Sequence, residues 1–236
     1  MKLTEYGMRE WLSATIVAFI LLLAAIFIGI YINVIGAVVL GLIAVVFWVI
    51  VASFFRVPNR KISQIEEFIL SPADGVVRDI ELINDDSMTF FEGKNIVRIG
   101  IFLSVFDVHV NRAPTAMNVV YKKYKEGKYL DARNPEASQE NESMLIGGMG
   151  TANGISFPLA IRQISSAVAR KIVCPVEINS SFEKGEVYGM IKFGSRTELY
   201  LPADKNITVK VKVGDRVFGG LTVMAEVTNS DKNLEE

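Results

Sequence analysis

The sequence predicts a mostly β, barrel-sandwich-like soluble domain with one or two short helices, preceded by an N-terminal transmembrane helical hairpin. Three observations predict this class. Trp11 to Phe55 holds no charged residue, which is too long an apolar run for a single span. Beyond Ser71, apolar runs of strand length alternate with turn signals. The stretch Gly189-Met-Ile-Lys-Phe-Gly-Ser-Arg-Thr-Glu-Leu-Tyr-Leu-Pro202 reads as two short alternating strands that meet at Gly194-Ser195.

Composition narrows the chemistry. With 25 Lys and Arg against 26 Asp and Glu, the chain has no basic bias toward nucleic acid. Its one cysteine, Cys174, cannot form an internal disulfide, and its apolar surroundings suit a small buried side chain. The one histidine, His109, excludes a zinc site built on several His or Cys ligands. No metal is expected.

The apolar N-terminal stretch divides into two spans, residues 13–32 and 35–55, with a tight turn at Asn33. Lys2 and Arg9 precede the first span; Arg56, Arg60 and Lys61 follow the second; the turn carries no charge. The positive-inside rule places both ends and the soluble domain on the cytoplasmic side of the cell membrane. No ionisable residue inside the spans points to transport, so residues 1–60 read as an anchor and 61–236 as the functional domain.

Along the soluble part, Pro72-Ala-Asp-Gly75 signals a turn and residues 76–80 a strand. Residues 84–87 form a loop, and the apolar run 96–103 suits a core strand. Residues 119–124 and 143–146 add strands on either side of a long polar loop, 125–142. Ile161, Ile164, Val168 and Ile172 recur at helical spacing, predicting a helix over 162–171. Residues 207–213 alternate as a strand before the turn Gly214-Asp215. Residues 217–227 predict a hairpin turning at Gly219-Gly220, and the tail 229–236 is polar.

Three polar residues in this part suit one chemistry. Asp74 lies in the Pro-Ala-Asp-Gly turn, His109 between Val108 and Val110, and Ser195 after a glycine. Histidine can take a serine proton while a carboxylate holds the imidazole tautomer, whatever the order in the chain. Asp107 and Asn111 stand on His109's side of an alternating strand and are alternative partners. Arg112 can pair with a carboxylate or bind a phosphate. Spacing alone does not bring these groups together.

Several ordered motifs add what spacing does not: Phe54-Phe-Arg-Val-Pro-Asn-Arg60, Ser71-Pro-Ala-Asp-Gly75, Phe106-Asp-Val-His-Val-Asn-Arg-Ala-Pro114, Ala169-Arg-Lys-Ile172, Phe193-Gly-Ser-Arg-Thr-Glu-Leu-Tyr-Leu-Pro202 and Gly214-Asp-Arg-Val217. Together they resemble the short-form phosphatidylserine decarboxylase proenzymes, a pyruvoyl-dependent family, over nearly the whole chain.

The resemblance implies a proenzyme that cuts itself between Gly194 and Ser195. The Ser195 oxygen attacks the Gly194 carbonyl, the peptide becomes an ester, and elimination followed by loss of ammonia leaves a pyruvoyl group. His109, oriented by Asp74, is the implied base. The pyruvoyl carbonyl then forms a Schiff base with the serine amine of a phospholipid, and carbon dioxide leaves. The implied product is phosphatidylethanolamine. The implied assembly is a heterodimer of the protein's own long and short chains, with further oligomerisation open.

One departure stands out. Longer family members carry a second histidine three residues after the first, where this chain has Arg112. His109 must then serve both steps, or another group must stand in. Rival readings are a decarboxylase of an ether-linked serine lipid, a membrane-tethered carrier-like β domain, and a serine hydrolase that stays a single chain.

Overall fold

The computed structural model describes residues 2–84, 88–93, 95–128, 130, 137–166, 171–192 and 195–229. The chain divides into two compact units, Met1–Asn59 and Arg60–Glu236.

The first unit is a helical hairpin with a short ribbon at its base. Strand β1 (Lys2–Leu3) pairs with β2 (Arg56–Val57), and between them run α1 (Met8–Tyr31) and α2 (Val34–Phe54). Asn33 caps α2 as its side-chain oxygen accepts the N–H groups of Ile35 (2.7 Å) and Gly36 (3.2 Å). The turn thus falls where the sequence places it. Both helices are long and apolar enough to cross a membrane. Their apolar side chains are largely exposed, Ile35 by 75 %. That exposure suits a lipid environment, where no water-facing polar stripe is needed.

The second unit is mostly β. Its strands are β3 (Phe68–Leu70), β4 (Gly75–Ile83), β5 (Ile96–Leu103), β6 (Val110–Arg112), β7 (Ala116–Lys125), β8 (Ser143–Ala152), β9 (Ile155–Ile164) and β10 (Lys171–Val173). They continue with β11 (Ser181–Phe182), β12 (Val187–Lys192), β13 (Ser195–Pro202), β14 (Ile207–Val209), β15 (Arg216–Val217) and β16 (Val223–Val227). One short helix, α3 (Ala137–Glu140), lies in the segment read as a loop.

An eight-stranded sheet runs in the order β11-β7-β8-β9-β13-β5-β4-β15, and every neighbouring pair is antiparallel. Two three-stranded sheets, β10-β12-β6 and β14-β16-β3, accompany it. One core joins Ile99, Ile101, Leu199 and Leu201 of the large sheet to Tyr188 of β12 and to Ile69, Met224 and Val227 of the β14-β16-β3 sheet. The large sheet therefore packs one face against the small sheets, a sandwich arrangement. Its other face carries a second cluster around Phe91, Ile96 and Tyr200.

Strand β13 is buried along its whole length. Its odd residues, Leu199 and Leu201, enter the main core. Its even residues Arg196 and Glu198 form an ion pair (2.8 Å), and Arg196 also grips Asp79 of β4 at 2.6 and 2.7 Å. Gly100 of β5 makes room for that crossing, since a Cβ there would lie 2.1 Å from Arg196 Nη2. Burial alone would lower the Arg196 pKa, but Asp79 and Glu198 together raise it, and the guanidinium stays charged.

Three expectations are corrected. The helix expected over 162–171 is absent from its described residues: 162–164 belong to strand β9 and 171–173 to β10, and residues 167–170 lie outside the described part. β9 buries both faces, with Leu159 and Ile161 in the main core on one side and Ala160 in the second cluster on the other, so its apolar residues need not alternate. The hairpin expected over 217–227 does not form either. β15 pairs with β4, whereas β16 pairs with β14 and β3. The strand expected over 207–213 is shorter, Ile207–Val209. The expected loop 84–87 and tail 229–236 fall mostly outside the described residues.

Candidate active site

Three strand ends meet at one end of the large sheet. Register places Ser195, the first residue of β13, opposite Leu103, the last of β5. On the other side of β5, Val76 of β4 lies opposite Phe102. Ser195 and the Asp74-Gly75 turn therefore flank the end of β5, on strands about 10 Å apart. The turn sits so close that a Cβ on Gly75 would lie 2.2 Å from the Phe102 carbonyl oxygen. Only glycine tolerates that approach.

The sheet β10-β12-β6 brings His109 to the same end. Met190 of β12 pairs with Val110, and the Ile191 N–H donates to the His109 carbonyl (3.3 Å). β12 then runs through residues 193–194 into Ser195. The expected cleavage partner Gly194 lies outside the described residues, as does Phe193. β12 ends at Lys192 and β13 begins at Ser195, and the two belong to different sheets.

His109 is fully buried, and its Nδ1 lies 2.9 Å from the Asp107 backbone oxygen. A carbonyl only accepts, so Nδ1 carries a proton, and in the neutral ring Nε2 is the basic nitrogen. Asp107 is itself fixed: its Oδ2 accepts the Ser104 N–H (2.8 Å), and Oδ1 pairs with Arg216.

Asp74 is held by Arg60 and the Gly219 backbone. Its carboxylate takes both Arg60 nitrogens, Nη1 at 2.6 Å and Nη2 at 2.7 Å, and the Gly219 N–H at 2.8 Å. Arg60 also donates to the Gly219 carbonyl. Among the described residues Asp74 makes no hydrogen bond to His109. Arg112 joins this cluster instead of presenting a free guanidinium to solvent. It donates to the Gly185 carbonyl (2.8 Å), and burial, then the nearby Arg60 charge, lower its pKa, with Asp74 opposing.

The Ser195 hydroxyl is fully buried and has no hydrogen-bond partner among the described residues. The same is true of Ser165, which follows the last residue of β9 paired to β13. One step along the strands, the polar side chains are paired. Asn111 donates to Thr197 (2.9 Å), and Gln163 donates to Asn111 (2.8 Å). Asn111 thus braces the strands below the site and is not a hydrogen-bond partner of His109. Arg60, Gln163, Thr197 and Ser165 escaped the sequence reading. Arg60 and Thr197 carry the available signal, as members of the Phe54 to Arg60 and Phe193 to Pro202 motifs. Lys192 is buried (4 %) three residues before Ser195. Cys174 is half-buried, with its thiol pKa raised by burial.

Comparison with known proteins shows the family. The family model described as phosphatidylserine decarboxylase matches residues 47–225. A phosphatidylserine decarboxylase proenzyme of Carboxydothermus hydrogenoformans is 42 % identical over 198 residues, covering 83 % of this chain and 89 % of the relative. One from Geotalea daltonii is 38 % identical over 184 residues, covering 78 % and 82 %. One from Rhodopirellula baltica is 40 % identical over 176 residues, covering 75 % and 71 %. The chain belongs to the phosphatidylserine decarboxylase family.

Proposed function

We propose that this protein decarboxylates phosphatidylserine to phosphatidylethanolamine and makes its own prosthetic group by cutting itself between Gly194 and Ser195. The observation that carries this reading is the Ser195 hydroxyl, buried at the start of β13 with no hydrogen bond committed among the described residues. A buried hydroxyl left unpaired costs stability, so its retention suits a chemical role.

In the first reaction the Ser195 Oγ attacks the Gly194 carbonyl carbon. The amide C–N bond breaks, the nitrogen takes a proton, and an ester links the two residues. Removal of the Ser195 α-proton expels the Gly194 carboxylate and leaves a dehydroalanine. Addition of water and loss of ammonia convert it to pyruvoyl. His109 Nε2 is the base for the Ser195 proton, with Nδ1 held by the Asp107 carbonyl. Asp74 acts through charge, balancing Arg60 beside Arg112.

The pyruvoyl carbonyl supplies an electrophile for the substrate amine and a sink for the electron pair left by carbon dioxide. His109 takes up the proton that the substrate ammonium releases and donates it to the substrate carbon that carbon dioxide has left. Cleavage yields residues 1–194 and 195–236. β13 of the short chain lies hydrogen-bonded between β5 and β9 of the long chain, so the two remain one heterodimer. The helical hairpin anchors the protein in the cell membrane, with the β unit on the cytoplasmic side by the positive-inside rule.

The test is release of labelled carbon dioxide from carboxyl-labelled phosphatidylserine by the purified full chain. Release by the wild type, absent in Ser195→Ala, is the expected result. Equal release by both proteins would overturn the proposal.

A further inference from the structure

Two loops beside the site expose large apolar side chains. In the loop after β5, Val105 is 50 % and Phe106 83 % exposed. In the turn after β15, Phe218 is 43 % and Leu221 44 % exposed. Four large apolar side chains on two neighbouring loops make an exposed apolar patch of the kind that marks an interaction surface.

The two loops are tied to each other and to the site. Asp107, next to Phe106, pairs with Arg216, whose guanidinium lies 5.6 Å over the Phe218 ring. Gly219, next to Phe218, donates to Asp74. His109 follows Asp107 by two residues and takes its carbonyl. Exposed Arg78 lies 5.3 Å over the ring of Phe102, the residue opposite Val76. The result is an apolar and cationic rim at the end of the sheet that holds Ser195.

We propose that this rim, formed by Val105, Phe106, Phe218 and Leu221 with Arg78 and Arg216, is a membrane-docking surface whose partner is an anionic phospholipid bilayer. Apolar side chains sink into the headgroup boundary while the guanidinium groups meet lipid phosphates. Reach favours this partner. Arg60, bonded to Asp74 and Gly219, is only six residues beyond Phe54, the last residue of α2. Six residues span at most about 20 Å, so the site stays tethered within reach of the bilayer that holds the helices. Docking there lets a lipid headgroup enter the site while its tails remain in the bilayer. The inference rests on the proposed lipid substrate, but its test does not require turnover.

The full chain carrying Cys174→Ser and Ser195→Ala is labelled with an environment-sensitive fluorophore at Phe106→Cys, Phe218→Cys or Leu82→Cys, one site at a time. Leu82 is 66 % exposed at the far end of β4 from Gly75. Each protein is reconstituted in phosphatidylserine and phosphatidylcholine vesicles. The labels at 106 and 218 are expected to shift to the blue and lose most of their emission to doxyl-labelled lipid, while the label at 82 responds to aqueous iodide only. Labels at 106 and 218 that remain as open to iodide as the one at 82 would overturn the proposal. In the cleavable chain, Phe106→Asp with Phe218→Asp is expected to raise the KM for bilayer substrate about tenfold with little change in kcat. A matching rise for dispersed short-chain phosphatidylserine would assign the loss to the site and count against docking.

Discussion

Arg60 and Asp74 meet as a two-point ion pair, with Nη1 to Oδ1 at 2.6 Å and Nη2 to Oδ2 at 2.7 Å. Their side chains are only 8 % and 6 % exposed. Arg60→Ala would strand a buried carboxylate at the site, at a cost of about 3–5 kcal/mol. Lysine keeps the charge but not the fork, so Arg60→Lys is expected to restore only part of the loss. Denaturant midpoints of the three proteins check the order. Self-cleavage, read as the fraction of two-chain protein, is expected to slow in the same order.

His109 carries the base role in the proposed self-cleavage. His109→Ala is expected to stay a single chain, and added imidazole to restore some cleavage, because the buried ring leaves a cavity of its own shape. A gel following chain length over time checks this. Full cleavage of His109→Ala without imidazole would pass the base role to another group.

Glu198 tests the opposite face of the same strand. It is fully buried, bonds Arg196 and accepts the Tyr200 hydroxyl, with Arg98 and Arg162 each 3.9 Å away. Glu198→Leu leaves these cations underpaired and is expected to cost about 3–5 kcal/mol. Its side chain lies across β13 from that of Ser195. Cleavage of the molecules that remain folded is therefore expected to continue, whereas Arg60→Ala slows it. Urea unfolding and chain mass, read on the same sample, separate the two effects.

Alkali is expected to unfold the β unit partly through its buried tyrosines. Burial, then the Cys174 charge, raise the Tyr188 pKa, and burial, then Glu198, raise that of Tyr200. The unfolded chain releases each phenol proton near pH 10 while the folded chain keeps it. Stability is complete below that pH and falls above it by about 1.4 kcal/mol per pH unit for each tyrosine. Removing either phenol as Tyr188→Phe or Tyr200→Phe is expected to flatten the decline seen by circular dichroism above pH 10. The Tyr188 hydroxyl is buried without a partner among the described residues. Tyr188→Phe is therefore expected to leave neutral-pH stability unchanged or higher.

Much of this architecture is legible in the sequence, for physical reasons. The hairpin shows because lipid demands an uncharged run and Asn33 interrupts it with a cap. The core strand 96–103 shows because an apolar run of that length has few other uses. The strand Ile155–Ile164 hides because burial on both faces removes its alternation and leaves an accidental helical spacing at Ile161 and Ile164. The supposed Gly219-Gly220 hairpin hides for another reason: Gly219 is drawn to Asp74, and the strands on either side leave for different sheets. Ser195 and His109 were identifiable as residue types in a motif. The role of Arg60 was not, because its charge also fits the flank of a membrane span, and only the fold brings it to Asp74.

The central claim is self-cleavage at Ser195, and intact-mass measurement of the purified full chain beside Ser195→Ala tests it most directly. The account predicts two chains in the wild type, one ending at Gly194 and one beginning with a pyruvoyl group at position 195, and a single full-length chain in the variant. A single full-length mass in both proteins would contradict it.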